Sequence, residues 1–379
     1  MGDLLAGRSV AVVHEWFSAL GGSENVFLAI ADLVPHAERY VLWAEPDADA
    51  AGLRQTWLAG TPLRRSKALA LPLMPLAWRT CGRPEPDVAI SSSHAFAHTV
   101  KLGDRTRHLS YVHTPARYLW SPDFDGRGGN PLLAPARAAL RVADRRGGRH
   151  VHAYAANSAE VQRRIARYWG RESVVVHPPV DTAFFADVPD GDGGYLLGAG
   201  RWVAYKRFDL MIAIAAAAGR PLVIAGGGPE EPRLRRLAAA APVPVTFAPR
   251  PDRRRLRDLY AGATALLFPA HEDFGIVPVE AQAAGTPVLG LRRGGLLETV
   301  LDGETGRLVD GDDPAAYAAL VPAAARLDRA AIRAHAHRFS AAEGFARPSI
   351  YCRDLFRLVT YIRGRVEHDL FARAHALAL

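Results

Sequence analysis

The stretch HEDFGIVPVEAQAAGTPVLGLRRGG, residues 271–295, sets two carboxylates, Glu272 and Glu280, on one corner of the chain. The apolar run ATALLFPA before it (263–270) reads as a buried strand, so Glu272 falls in the loop at that strand's C-terminal end. Pro278 suits the first turn of a helix and Gly285 its end, which places Glu280 within the first turn. The backbone N–H groups of Phe274, Gly275, Ile276 and Val277 then sit at the helix start, without intrahelical acceptors. Such amides bind anions, and carboxylates grip hydroxyl groups, so the corner suits a ligand carrying both phosphate and sugar. A paired acid and base is the other chemistry open to two carboxylates. Taken alone, Glu280 is also explained by favourable placement on the helix dipole, about 0.3–1 kcal/mol.

Other stretches carry weaker chemistry. In GAGRWVAYKRFDLMI, Arg201 follows a strand and Lys206 precedes a helix; both can reach an anion at the carboxyl edge of a sheet, or simply face solvent. In HEWFSALGGSENV, paired glycines Gly21 and Gly22 stand between a strand and a helix, which fits either a tight turn or a phosphate contact. This is not the GxGxxG dinucleotide fingerprint. His113, in SYVHTPARYLW, ends a strand, where it can donate to a substrate hydroxyl or to the backbone. His94 and His98 have HxxxH spacing without a third ligand, and a metal site is not expected there. The DxD pairs Asp47/Asp49, Asp123/Asp125 and Asp190/Asp192 lie in polar loops where aspartates are common. Neither a P-loop nor a GxSxG elbow is present.

The elements that must position these residues alternate between short apolar runs and amphipathic stretches, the pattern of α/β domains with parallel sheets. Strands are expected at 9–16, 38–44, 87–93, 107–113, 152–158 and 173–185, the last ending in a double proline. After the Gly- and Asp-rich segment 187–194, taken as the domain boundary, a second series follows at 195–201, 221–228, 243–249, 263–269 and 286–291. The chain has 379 residues, 49% of them hydrophobic, which is material for two domains. Two Rossmann-like domains with a helical tail after Phe339 is the architecture implied. No run of about 18 apolar residues suggests a membrane span. The two cysteines, Cys81 and Cys352, argue no disulfide framework, and a cytoplasmic setting is expected. A net charge of +8, with basic clusters at 141–150 and 250–258, favours an anionic partner. Ordinary solvated helix faces explain most of these residues; for a partner, the lack of interleaved aromatics prefers an anionic membrane face to nucleic acid.

Taken together, GGSENV, YVHTPARYLW, NSAEVQRRI, VVVHPPVDTAFF, GAGRWVAYKRFDLMI, IAGGGPE, the Glu272–Glu280 corner and GGLLETVLDGETGRLV resemble, in this order, retaining GT-B glycosyltransferases of family 4. The branch most resembled is a bacterial mannosyltransferase-like group of polysaccharide assembly. The resemblance spans about residues 9–350. It implies a GT-B fold, with two Rossmann-like domains facing each other across a cleft. An acceptor-side domain would span 1–178, with helices of 345–379 packing back on it, and a nucleotide-sugar domain 185–344. By resemblance, Glu280 holds the ribose and Glu272 the donor sugar, while Asp273, Phe274, Gly275, Ile276 and Val277 cap sugar and diphosphate. Arg201 and Lys206 neutralise the leaving diphosphate, Gly22 approaches the same phosphates, and His113 sits beside the transferred sugar. The base lies near Gly226, Gly227, Phe247 and Ala248, although FAPRP (247–251) departs from the F-x-G-x turn usual there.

The resemblance therefore implies a metal-independent, retaining hexosyltransferase needing no cofactor, with mannose from GDP-mannose as the expected donor sugar. The acceptor would be a saccharide, a lipid-linked molecule or a small-molecule natural product, with peripheral contact to the inner membrane face and no nucleic acid. A nucleotide-sugar epimerase and a non-catalytic nucleotide-sugar-binding protein are the competing classes.

Overall fold

The computed structural model describes residues 5, 7–18, 21–121, 134–189, 191 and 194–340. The expected helical tail, 345–379, and the aspartates Asp123, Asp125, Asp190 and Asp192 lie outside the described residues. The chain divides into two compact units, the second spanning Pro178–Glu343. The Gly- and Asp-rich segment 187–194 thus lies inside the second unit and not between the two.

The first unit is built on a seven-stranded sheet. In chain order its strands are β1 (Val10–Phe17), β2 (Glu38–Ala44), β3 (Leu53–Gln55), β4 (Val88–Ser93), β5 (Arg107–Val112), β6 (Ala153–Ala156) and β7 (Val174–Val175). Their order across the sheet is β3-β2-β1-β4-β5-β6-β7, all parallel. Chain order reverses between β1 and β4, and open α/β sheets bind ligands outside the carboxyl ends of such a pair. The long strand expected at 173–185 is reduced to β7. Beyond the prolines the chain turns helical at Thr182–Ala186, because Asp181 caps that helix by accepting from Phe184 N.

The second unit carries β8 (Tyr195–Arg201), β9 (Leu222–Gly227), β10 (Val245–Pro249), β11 (Ala263–Phe268), β12 (Val288–Leu291) and β13 (Gly306–Val309). They form a parallel sheet in the order β10-β9-β8-β11-β12-β13, which reverses between β8 and β11. Successive strand residues enter opposite hydrophobic clusters. Leu197, Leu266, Phe268 and Val288 belong to one, Leu196, Leu267 and Leu289 to the other. Both faces are therefore covered, which is why these strands read as unbroken apolar runs. Among the described residues, no helix is long and apolar enough to cross a membrane.

Candidate functional site

In the second unit, the carboxyl ends of β8 and β11 flank the point where strand order reverses. β8 ends at Arg201, whose side chain is exposed. Lys206 follows on a short 3-10 turn, Ala204–Lys206. From the other side, β11 leads into the loop that carries Glu272. The two meet: Lys206 Nζ lies 2.5 Å from Glu272 Oε1, with both side chains mostly withdrawn from water. The ammonium also stands 5.2 Å from the centre of the Phe268 ring. Arg207, at φ 57°, turns the chain into the next helix and pairs with Asp312 at 2.5 Å.

The loop after Glu272 is fixed from below by two glycines. Gly295 N donates to Glu272 O at 2.9 Å. A Cβ on Gly295 would fall 2.3 Å from Phe274 Cα, and one on Gly294 2.3 Å from Glu272 O. Asp273 and Phe274 are buried, so neither side chain stands at the surface of this loop. Gly275, at φ 92°, turns the chain into the helix Ile276–Ala283. Ile276 and Val277 open that helix, where backbone N–H groups have no intrahelical acceptor.

Glu280 does not stand in the first turn, as the spacing from Pro278 suggested. The helix already begins at Ile276, so Pro278 is its third residue and Glu280 lies in the second turn. Its placement is therefore not a dipole effect, which decays within the first turn. Instead the carboxyl is held by Tyr260, whose hydroxyl donates to Glu280 Oε2 at 3.0 Å. Burial pushes the Glu280 carboxyl up to about 7, against the Tyr260 bond, which favours the ionised form.

The glycines at the end of β9 serve a close backbone approach. Gly226 has φ 134°, and a Cβ there would fall 1.9 Å from Gly200 O. The Gly226 and Gly227 carbonyls accept from Arg250 N at 2.6 Å and Trp202 N at 2.8 Å. Phe247 turns its ring to Trp202 and lies under Arg235. Phe247 and Ala248 also line a cavity of about 440 Å³ together with Tyr195, Thr246 and Arg255.

In the first unit, Gly22 opens the helix Gly22–Leu33, with Gly21 as its cap. The Glu24 carboxylate folds back over this corner, accepting from Ser18 Oγ and Ser23 Oγ at 2.6 Å each. A Cβ on Gly21 would fall 2.0 Å from Glu24 Oε2, so the corner is shaped around an acid of its own. His113 Nε2 lies 2.8 Å from Ser92 Oγ, which is 3.1 Å from His14 Nδ1. His14 Nδ1 is also 3.1 Å from Ser92 O, which can only accept, so this nitrogen carries the proton. Burial lowers His14 to about 4 and holds His94 well below the usual histidine range.

The HxxxH pair diverges. His94 packs edge-on against Trp16. His98 Nε2 instead reaches Asp144 Oδ1 at 3.2 Å, while Asp144 Oδ2 accepts from Trp120 Nε1 and Trp169 Nε1 at 2.7 Å each. Among the described residues, no group of three His, Cys, Asp or Glu side chains is placed to hold a metal ion.

Several participants had no local signal. Tyr260, His14, Ser92 and the Gly294–Gly295 pair are recognised only by what they touch. Trp202 is another: its Nε1 is buried without an acceptor, 3.2 Å from where a Cβ on Gly226 would stand. The Gly-rich end of β9, beside Trp202, was the one hint for it.

Residues 180–339 match the family model described as Glycosyl transferases group 1. The chain is 40% identical over 198 residues to a D-inositol 3-phosphate glycosyltransferase from Acidothermus cellulolyticus, covering 44% of each chain. It is 33% identical over 282 residues to the protein of the same name from Streptomyces scabiei, covering 59% of this chain and 62% of that one. The chain thus spans only 44% and 62% of the length of these two curated relatives. Among solved structures, sucrose-phosphate synthase from Thermosynechococcus elongatus superposes with a TM-score of 0.66 at 18% identity, covering 96% of this chain and 99% of that one. Anabaena HepE in complex with UDP gives 0.65 at 18% identity, covering 92% and 100%. These likenesses show the fold: two parallel-sheet, Rossmann-like domains of the GT-B type.

Proposed function

We propose that the protein is a glycosyltransferase that moves a hexose from a nucleotide-diphosphate sugar to an acceptor hydroxyl. The observation that carries this reading is the corner at the reversal between β8 and β11. There Lys206 is paired with Glu272 at 2.5 Å, and Glu280 is held by Tyr260 one helical turn beyond the loop.

In this reading the corner sorts the donor by its chemistry. Glu280 accepts from the ribose hydroxyls and Glu272 from hydroxyls of the sugar. The amides of Gly275, Ile276 and Val277 cap the diphosphate, and Arg201 and Lys206 offset its growing charge as the anomeric bond breaks. A preorganised donor of this kind lowers the barrier by about 3 kcal/mol, or 10²–10³ in rate. The retaining course follows if the acceptor attacks on the leaving-group face, with the departing phosphate oxygen taking its proton. Cationic side chains and helix amides then do the work a divalent metal would otherwise do.

The resemblance makes mannose from GDP-mannose the donor to test first. UDP-glucose comes second, because a structural neighbour is described in complex with UDP and with UDP-glucose. The acceptors to test are saccharides, lipid-linked molecules, small natural products and, from the names of the relatives, D-inositol 3-phosphate. A thermal-shift screen of GDP-, UDP- and dTDP-sugars identifies the donor, since a bound ligand stabilises the fold with the logarithm of its concentration over Kd. A screen in which none of these nucleotide sugars stabilises the protein contradicts the reading. Binding without transfer or hydrolysis, whatever the acceptor, favours a sensor instead of an enzyme.

A further inference from the structure

The sequence offers two basic runs, read either as solvated helix faces or as a surface for an anionic partner, and the structure engages much of both within the chain. Arg141 and Arg145 bond to the carbonyls of Leu119 and Tyr168. Arg253 and Arg257 pair with Asp181 and Asp187. A different surface, in the first unit between β3 and β4, has the opposite character.

There the chain winds through a series of short helical turns, among them Trp57–Gly60, Pro62–Arg65, Lys67–Ala70, Leu71–Leu73 and Met74–Arg79. One stripe of the run 67–79 faces inward: Ala70, Met74, Ala77 and Trp78 are fully buried, in the cluster that includes Leu42 and Trp43 of β2. A helical run packed on one side ordinarily presents polar residues on the other. Here the outward positions are Leu69, 65% exposed, the exposed Pro72, and Leu76, 50% exposed, spaced as one helical stripe. Trp57, 43% exposed, joins them, because its Nε1 donates to Thr80 Oγ1 and Thr80 Oγ1 donates to Leu76 O.

The segment itself carries charge of one sign. From Ala50 through Pro84 the sequence contains no aspartate or glutamate. Arg54, Lys67 and Arg83 have acidic partners, at Glu38, Glu45 and Asp104. Arg64, Arg65 and Arg79 have none among the described residues, and Arg65 and Arg79 are exposed. Exposed leucine, proline and tryptophan in a segment that also exposes arginines make a surface that inserts shallowly at a headgroup boundary while its cations meet anionic lipid. A second copy placed face to face across a twofold axis would set arginine against arginine.

We propose that this face, Trp57, Leu69, Pro72 and Leu76 with Arg65 and Arg79, docks the protein onto an anionic lipid surface. The inference does not depend on the transfer reading, and its test uses no substrate.

The full-length protein is sedimented with vesicles of phosphatidylcholine alone and with about a third phosphatidylglycerol. The wild type binds the anionic vesicles, less as salt rises, and does not bind the neutral ones. Leu69→Glu/Leu76→Glu and Arg65→Glu/Arg79→Glu each weaken binding at least about tenfold, with unchanged Tm, because the altered side chains are exposed. Equal binding by wild type and both variants overturns the proposal, as does the absence of wild-type binding. So does a lipid-free dimer that Leu69→Glu/Leu76→Glu dissolves, since the face would then belong to a second copy. A lower Tm in that variant also overturns it, by showing that the protein covers these leucines itself.

Discussion

Lys206 Nζ and Glu272 Oε1 lie 2.5 Å apart across the reversal between β8 and β11, joining the two strands whose carboxyl ends define the site. Each side chain thereby neutralises the other's charge in a place with little water. A phosphate arriving there gives the ammonium a second acceptor. A sugar hydroxyl arriving there gives the carboxylate a second donor.

The first expected outcome concerns this pair. Glu272→Gln keeps the shape and one acceptor but removes the charge. Transfer falls by about 10²–10³ in kcat/KM, while the free nucleoside diphosphate binds within about threefold of wild type. Lys206→Met leaves a carboxylate unpaired and lowers stability by about 3 kcal/mol. The double variant recovers part of that loss in urea unfolding. Additive losses from the two single changes would mean that the ion pair is not energetically coupled.

Glu280 gives the binding reaction a pH dependence. Its carboxyl is raised to about 7 by burial, whereas ribose hydroxyls require the ionised acceptor. Nucleotide binding therefore takes up the charged form and weakens about tenfold for each pH unit below 7. The folding contribution has the opposite sense. A carboxyl raised in the folded state favours folding fully below its ordinary value and loses that contribution as pH rises through about 7. Calorimetric titration between pH 5.5 and 8.5 reads the first effect, over a range of about three units around the shifted value. Glu280→Gln flattens the profile, and a profile of unchanged slope in that variant assigns the titration elsewhere.

Gly226 is required for a backbone reason. Its φ of 134° and the 1.9 Å approach of Gly200 O to a Cβ leave an alanine nowhere to go. Gly226→Ala costs about 3 kcal/mol or more in urea unfolding. Gly60→Ala is the control, since its Cβ meets nothing within 4 Å. Equal effects at the two positions contradict the close approach.

Asp144 is the hub of the first unit's buried polar groups. It is fully buried and holds two indoles at 2.7 Å and His98 at 3.2 Å. Asp144→Ala leaves these donors without an acceptor and costs about 3–5 kcal/mol, with a visible change in tryptophan emission. Asp144→Asn retains part of the bonding and falls between. A neutral Asp144→Ala would show that water replaces the carboxylate.

Much of this architecture was legible because both faces of each sheet are covered, so interior strands such as β8, β9, β11 and β12 read as apolar runs. The short edge strands β3 and β13 offered no such run. The turns of 57–79 are short and carry Pro62, Pro72 and Pro75 at or near their starts, so they show no sustained helical period. Glu272, Glu280, Arg201 and Lys206 stood out by type and position. Their partners did not: Lys206 meets Glu272 only after the parallel sheet has set the ends of β8 and β11 side by side, and Tyr260 meets Glu280 only where the helices Arg253–Gly262 and Ile276–Ala283 pack together. Pro278 does lie in the first turn, but as its third residue, because Gly275 starts the helix at Ile276; Glu280 therefore falls in the second turn and not the first.

The central claim is that the corner of Lys206, Glu272 and Glu280 holds a nucleotide sugar. A crystal structure of the protein with the nucleoside diphosphate identified by thermal shift tests it most directly. The account predicts ribose hydroxyls within about 3 Å of the Glu280 carboxylate, phosphate oxygens on the amides of Gly275 to Val277, and Lys206 turned toward the terminal phosphate. A nucleotide bound elsewhere, with the Lys206–Glu272 pair untouched and Glu280 still held by Tyr260 alone, would contradict it.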